Sequence, residues 1–127
     1  MHGLNIPTEI SWACTTSVDA EKLLRSLGAT AGLVGYNYMI HIVDAILASP
    51  DEHRYLTKSI YPETAKRFRA TPESVEHAIR TLIRNCWKRA DHSALDYIAG
   101  AHQERMPTNR EFIYFLVSFI RSFETEE

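Results

Sequence analysis

The chain has 127 residues, 45% of them hydrophobic, and a formal net charge of −2. That length fits one domain with a core large enough to fold alone, and no apolar run of about 18 residues offers a membrane-spanning helix. Met1 to Glu9 lacks the basic-then-apolar order of a secretory signal. Cys14 and Cys86 lie far apart; a disulfide stays open, but two thiols in a reducing, cytoplasmic setting fit better.

Taken in order, residues 1–16 read as an irregular N-terminal segment, residues 17–123 as a helical domain and residues 124–127 as an acidic tail. Ser17 to Leu27 reads as a first helix, with Thr16 or Ser17 as its cap and Gly28 as a left-handed stop. A second helix is expected over Gly35 to Ala48, where Met39, Ile42, Val43, Ile46 and Leu47 repeat at helical spacing. Asp51 to Arg54 is a polar connection that opens a short helix through Tyr55. Pro62 suits the first turn of a third helix ending at Phe68, and Arg69–Ala70 forms a short turn. Thr71 then caps a fourth helix from Pro72 to about Arg89. A short helix over Ala94 to Ala99 stops at Gly100, and Thr108 or Asn109 caps a last helix with a broad Phe-rich apolar face. With no period-two alternation, the fold class is all-α, a compact bundle of about six helices.

Charge is segregated along this order. Thr57 to Ala90 holds eight cations and three anions, a net +5, which leaves −7 on the remainder. One basic face on an acidic body meets a polyanion first.

The third and fourth helices carry the helix-turn-helix pattern. A short turn forces two helices to cross steeply, so a small residue must sit where they touch. Ala65 fills that place, Phe68 ends the first helix toward the core, and Val75 anchors the second ten residues beyond Ala65. The usual turn glycine is replaced by Arg69. Val75, Ala78, Ile79, Leu82, Ile83, Cys86 and Trp87 make one buried face of the fourth helix. The opposite face gives the candidate base-contacting residues Ser74, Glu76, His77, Arg80 and Thr81. Glutamate accepts from a cytosine amino group, arginine forks onto guanine, and histidine or threonine donates to an acceptor. Lys66 and Arg67 on the third helix, with Arg84 and Lys88 further along the fourth, are the candidate phosphate contacts, and Arg89 joins that group.

These residues sit within a longer resemblance. Leu27-Gly28, Gly35-Tyr36-Asn37-Tyr38, Tyr61-Pro62, Ala65-Lys66, Phe68, Val75-Glu76, Ala78-Ile79-Arg80, Trp87, Pro107-Thr108-Asn109 and Glu111-Phe112-Ile113 follow one another at family spacing. From about Leu23 to Phe123 the chain resembles the C-terminal effector domain of the stage-zero sporulation protein A, the master response regulator of endospore formation. The resemblance implies sequence-specific binding to double-stranded DNA with the fourth helix in the major groove. It also implies a head-to-tail homodimer on tandem sites, with RNA polymerase as a further candidate partner. Glu76 and Arg80 keep family residue types; Ser74 and His77 stand where the family commonly has arginine, and Thr81 where it has histidine. Those changes imply weaker binding and an altered site. About 20 residues precede the match, too few for a receiver domain, so the reading is an excised effector or a free-standing paralogue.

Other chemistry has little support. None of the six histidines pairs with another at i and i+4, and neither cysteine neighbours a second, so no metal or cofactor is expected. Without a phosphate loop or nucleophile elbow the chain does not read as an enzyme. The alternative function is a protein-interaction module of the same fold, with weak or no DNA binding, that modulates a full-length relative.

Overall fold

The computed structural model describes residues 6–14 and 17–124, without the side chain of Cys14. Six α-helices and no strand occur among the described residues: α1 (Ala20–Ser26), α2 (Val34–Ala48), α3 (Tyr61–Phe68), α4 (Pro72–Trp87), α5 (Ser93–Ala99) and α6 (Asn109–Glu124). The all-α expectation is met.

The ends of these helices follow local chemistry. Asp19, rather than Ser17, caps α1 by accepting from the Lys22 amide, and Thr16 lies outside the described residues. Gly28 and Gly100 end α1 and α5 in left-handed conformations, with φ of 93° and 85°. Thr71 caps α4 in a reciprocal box with Ser74, and Pro72 opens it. At α6 the Thr108 hydroxyl accepts from the Glu111 amide while the Glu111 carboxylate accepts from the Thr108 amide. Thr108, not Asn109, is therefore the cap, and Asn109 is the first residue inside the helix.

Two segments differ from the sequence reading. The N-terminal stretch read as irregular contains a 3-10 helix, Thr8–Cys14, which buries Ile10 and Ala13 and binds the Trp12 indole to the Ser26 hydroxyl. The short helix expected to open within Asp51–Tyr55 does not form. A π-helical turn, Leu56–Ile60, leads instead straight into α3.

α4 lies at the centre and packs against α2, α3 and α6. Its Val75, Ile79, Leu82 and Ile83 are fully buried, each contributing about 1.5–3 kcal/mol of transfer free energy. α2 approaches unusually closely through Gly35, where an added methyl would lie 2.4 Å from the Ala78 carbonyl oxygen. Phe68 meets Tyr38 and His41 edge-on at 5.1 and 5.7 Å, fixing α3 on α2.

The turn between α3 and α4 is made without glycine. Arg69 is left-handed at φ 56°, and the Ala70 amide donates back to the Ala65 carbonyl at 2.8 Å, closing a Schellman turn. A side chain in this conformation costs about 1–2 kcal/mol, against about 0.4–1 kcal/mol for glycine's freer unfolded chain. Arg69→Gly is thus expected to raise stability by about 0.5–1 kcal/mol in urea unfolding. A lower midpoint would mean that the arginine side chain contributes more than its backbone costs.

Candidate nucleic-acid interface

α4 is two-sided because its apolar residues recur every three to four positions. Its buried side is locked into the core, and Glu73, His77, Arg84 and Lys88 run along the exposed outward side. Of the candidate base contacts, His77 stands in this row at the edge of the groove toward α2, and the others divide between its two flanks.

On the flank toward α2, Ser74, His77 and Thr81 line an open groove of about 490 Å³ with Leu33, Val34 and Ala78. Val34 is 65% exposed at its rim. The Ser74 hydroxyl is already engaged: it accepts from the Thr71 amide and donates to the Thr71 carbonyl. A base contact by Ser74 would have to share the hydroxyl that closes the helix cap. Thr81 is half-buried and His77 is exposed.

On the flank toward α6, the Glu76 side chain is exposed and Arg80 is half-buried. Arg80 Nε donates to Asn109 Oδ1 at 3.0 Å. Asn109 Nδ2 donates to the Tyr61 hydroxyl at 3.0 Å and to the Glu76 carbonyl at 3.3 Å. Asn109 is not among the candidate site residues read from the sequence, although its side chain bonds one of them. Its position beside a helix cap was a sufficient local explanation, and its partner Arg80 lies 29 residues away.

The candidate phosphate contacts occupy exposed positions. Lys66 and Arg67 lie on α3, with the Arg67 guanidinium 5.8 Å from the Phe68 ring centroid, and Arg84 and Lys88 lie along α4. Arg89 is engaged elsewhere. Its guanidinium donates to the Ser26 carbonyl at 3.1 Å, lies 3.9 Å from the Glu9 carboxylate and rests against Gly28. It ties the end of α4 to the end of α1, which sets it apart from the outward row.

α3 is braced from behind. Buried His53 places Nδ1 2.8 Å from the Ser49 carbonyl and Nε2 2.9 Å from the Glu63 carboxylate on α3. Burial opposes the charged ring, but both nitrogens face acceptors, so bonding to Ser49 and Glu63 raises the His53 pKa overall. A raised folded pKa contributes stability that is complete below the unfolded value of about 6.5 and is lost as pH rises through the folded value. The stability advantage of the wild type over His53→Gln should therefore be larger at pH 6 than at pH 8.5. Equal advantages in urea unfolding would contradict a charged brace.

Cys86 is a free thiol buried on the inner side of α4, and burial pushes its pKa up to about 12. It therefore acts as core. Among the described residues, no three His, Cys, Asp or Glu side chains group as a metal site, and no helix is long and apolar enough to cross a membrane.

A short left-handed turn between two helices, closed on the carbonyl of buried Ala65, with a second helix whose outward side is polar and charged, defines a protein of the helix-turn-helix class. Within that class, residues 20–120 match the family model described as sporulation initiation factor Spo0A C terminal, and the chain belongs to that family. Membership implies a DNA-binding effector domain of a sporulation regulator, a transcription-factor domain and not an enzyme family.

Proposed function

We propose that this chain regulates transcription by sequence-specific binding of duplex DNA, with α4 as the recognition helix in the major groove. The observation that carries the reading is the two-sidedness of α4: a buried face held by three helices, and an outward face of polar side chains and charges of both signs. A recognition helix presents its N-terminal half to base edges. That half carries Glu76 and His77, with Ser74 in the capping box, and Arg80 and Thr81 follow just past the midpoint of the helix. Lys66, Arg67, Arg84 and Lys88 are phosphate contacts that set register and supply affinity without sequence information.

The site of action is DNA in the cytoplasm. On tandem sites the protein binds as a homodimer; exposed Phe123, 5.2 Å from Phe119 by ring centroids, offers an apolar contact at the end of α6. RNA polymerase is the proposed downstream partner. Because Ser74, His77 and Thr81 are shorter or less cationic than the family's usual residues, the preferred site differs from the family's common one.

A fluorescence-polarisation titration of duplex DNA across salt tests the reading. Four phosphate contacts give a slope of log K against log salt of about −3 to −4. No binding at low salt, or a flat response, would overturn it and favour a protein-interaction module of the same fold.

A further inference from the structure

We propose that Asn109 is a positioning residue for base reading, holding the Arg80 guanidinium so that its two terminal nitrogens face a guanine edge. The proposal rests on the reading of α4 given above. Asn109 is 5% exposed at the start of α6, and Thr108 with Glu111 already completes the helix cap. Its side chain is thus spent on tertiary bonds alone, and these bonds dictate its orientation. The guanidinium Nε–H of Arg80 can only donate, so Oδ1 must face it; the Glu76 carbonyl can only accept, so Nδ2 must face that. A reversed amide would break both bonds.

Engaging Nε leaves the two terminal nitrogens of Arg80 as the end-on fork that matches guanine O6 and N7. An unrestrained arginine loses side-chain rotors when it binds. Here one hydrogen bond removes part of that freedom beforehand, as a pre-organised contact requires. The hold is anchored further back, since Asn109 also donates to the hydroxyl of Tyr61, itself 4% exposed at the start of α3. One polar node therefore joins α3, α4 and α6 behind the reading side chain. A neutral amide suits this place. An aspartate would neutralise Arg80 near the phosphates and set a second acceptor against the Glu76 carbonyl.

The test uses a duplex selected from a random pool by the wild-type protein, with each base pair then changed in turn and affinities measured by competition. Asn109→Ala is expected to lower discrimination about fivefold or more at one base pair, the same pair at which Arg80→Ala loses discrimination, with the salt slope unchanged. In an Arg80→Ala background, adding Asn109→Ala should change discrimination by less than roughly twofold. A purely structural role would weaken binding evenly across all positions in step with lost thermal stability; that outcome, or independent effects in the double variant, overturns the proposal. If Asn109→Ala does not fold, Tyr61→Phe loosens the same node. A loss at that pair supports positioning, and wild-type discrimination overturns it. A wild type that selects no sequence overturns the reading of α4 along with this one. Discrimination lost in Arg80→Ala but intact in the Asn109 variants overturns only the positioning.

Discussion

Gly35→Ala is expected to destabilise the protein by about 3 kcal/mol, the upper end of the usual cost of overpacking a core. Melting should fall by on the order of 10 °C for a domain of this size. Helix propensity alone gives the opposite sign, because alanine inside a helix is favoured over glycine by about 1 kcal/mol. The steric term wins because of what the methyl would meet: the Ala78 carbonyl oxygen at 2.4 Å, its carbon at 2.9 Å and Leu82 Cβ at 3.3 Å. Two of these three atoms are backbone in the middle of α4 and cannot rotate aside. α2 and α4 must separate, and the exposed groove between them must widen. DNA binding should consequently weaken even at temperatures where Gly35→Ala is fully folded. A melting temperature equal to or above that of the wild type would show that the two helices slide apart cheaply.

Arg80→Ala carries the largest expected functional effect, a loss of about 1–3 kcal/mol on the preferred duplex, or roughly 5- to 150-fold. The loss should be confined to sequences with the correct base at one pair, since a bidentate fork discriminates that base from the other three. Arg84→Ala and Lys88→Ala should behave differently. Each should weaken all sequences to a similar extent and reduce the salt slope by about one. Removing Arg80 also withdraws the donor from Asn109 Oδ1, at a stability cost of about 1 kcal/mol. Affinities are therefore compared well below the melting transition. An equal loss on every sequence would assign Arg80 to the phosphate group.

Long periodic segments with strong caps were legible in the sequence. α2, α4 and α6 announce their buried faces by spacing, and Thr71-Pro72 marks the start of α4 within a residue. α1 begins three residues later than expected because Asp19 offers the same capping chemistry as Ser17, and local sequence does not rank the two. The 3-10 helix over Thr8–Cys14 depends on distant partners for its Ile10 and Trp12 and has no periodic signature of its own. Ser74 and Arg89 look like outward polar residues by helical spacing, yet the first closes a cap and the second turns back across Gly28. Asn109 illustrates the same limit from the other side. The next-door capping position explains an asparagine there equally well, and only the folded chain brings Arg80 and Tyr61 to it.

The central claim, that α4 reads DNA from the major groove, is tested most directly by dimethyl sulfate footprinting, because this reagent methylates guanine N7 on the major-groove edge. With wild-type protein bound to a selected duplex, guanine N7 positions inside the site should be protected. Arg80→Ala, at a concentration restoring full occupancy, should lose protection at one guanine and keep the others. Methylation unchanged by bound protein, or an identical pattern for the two proteins, would contradict the placement of α4 and the role of Arg80.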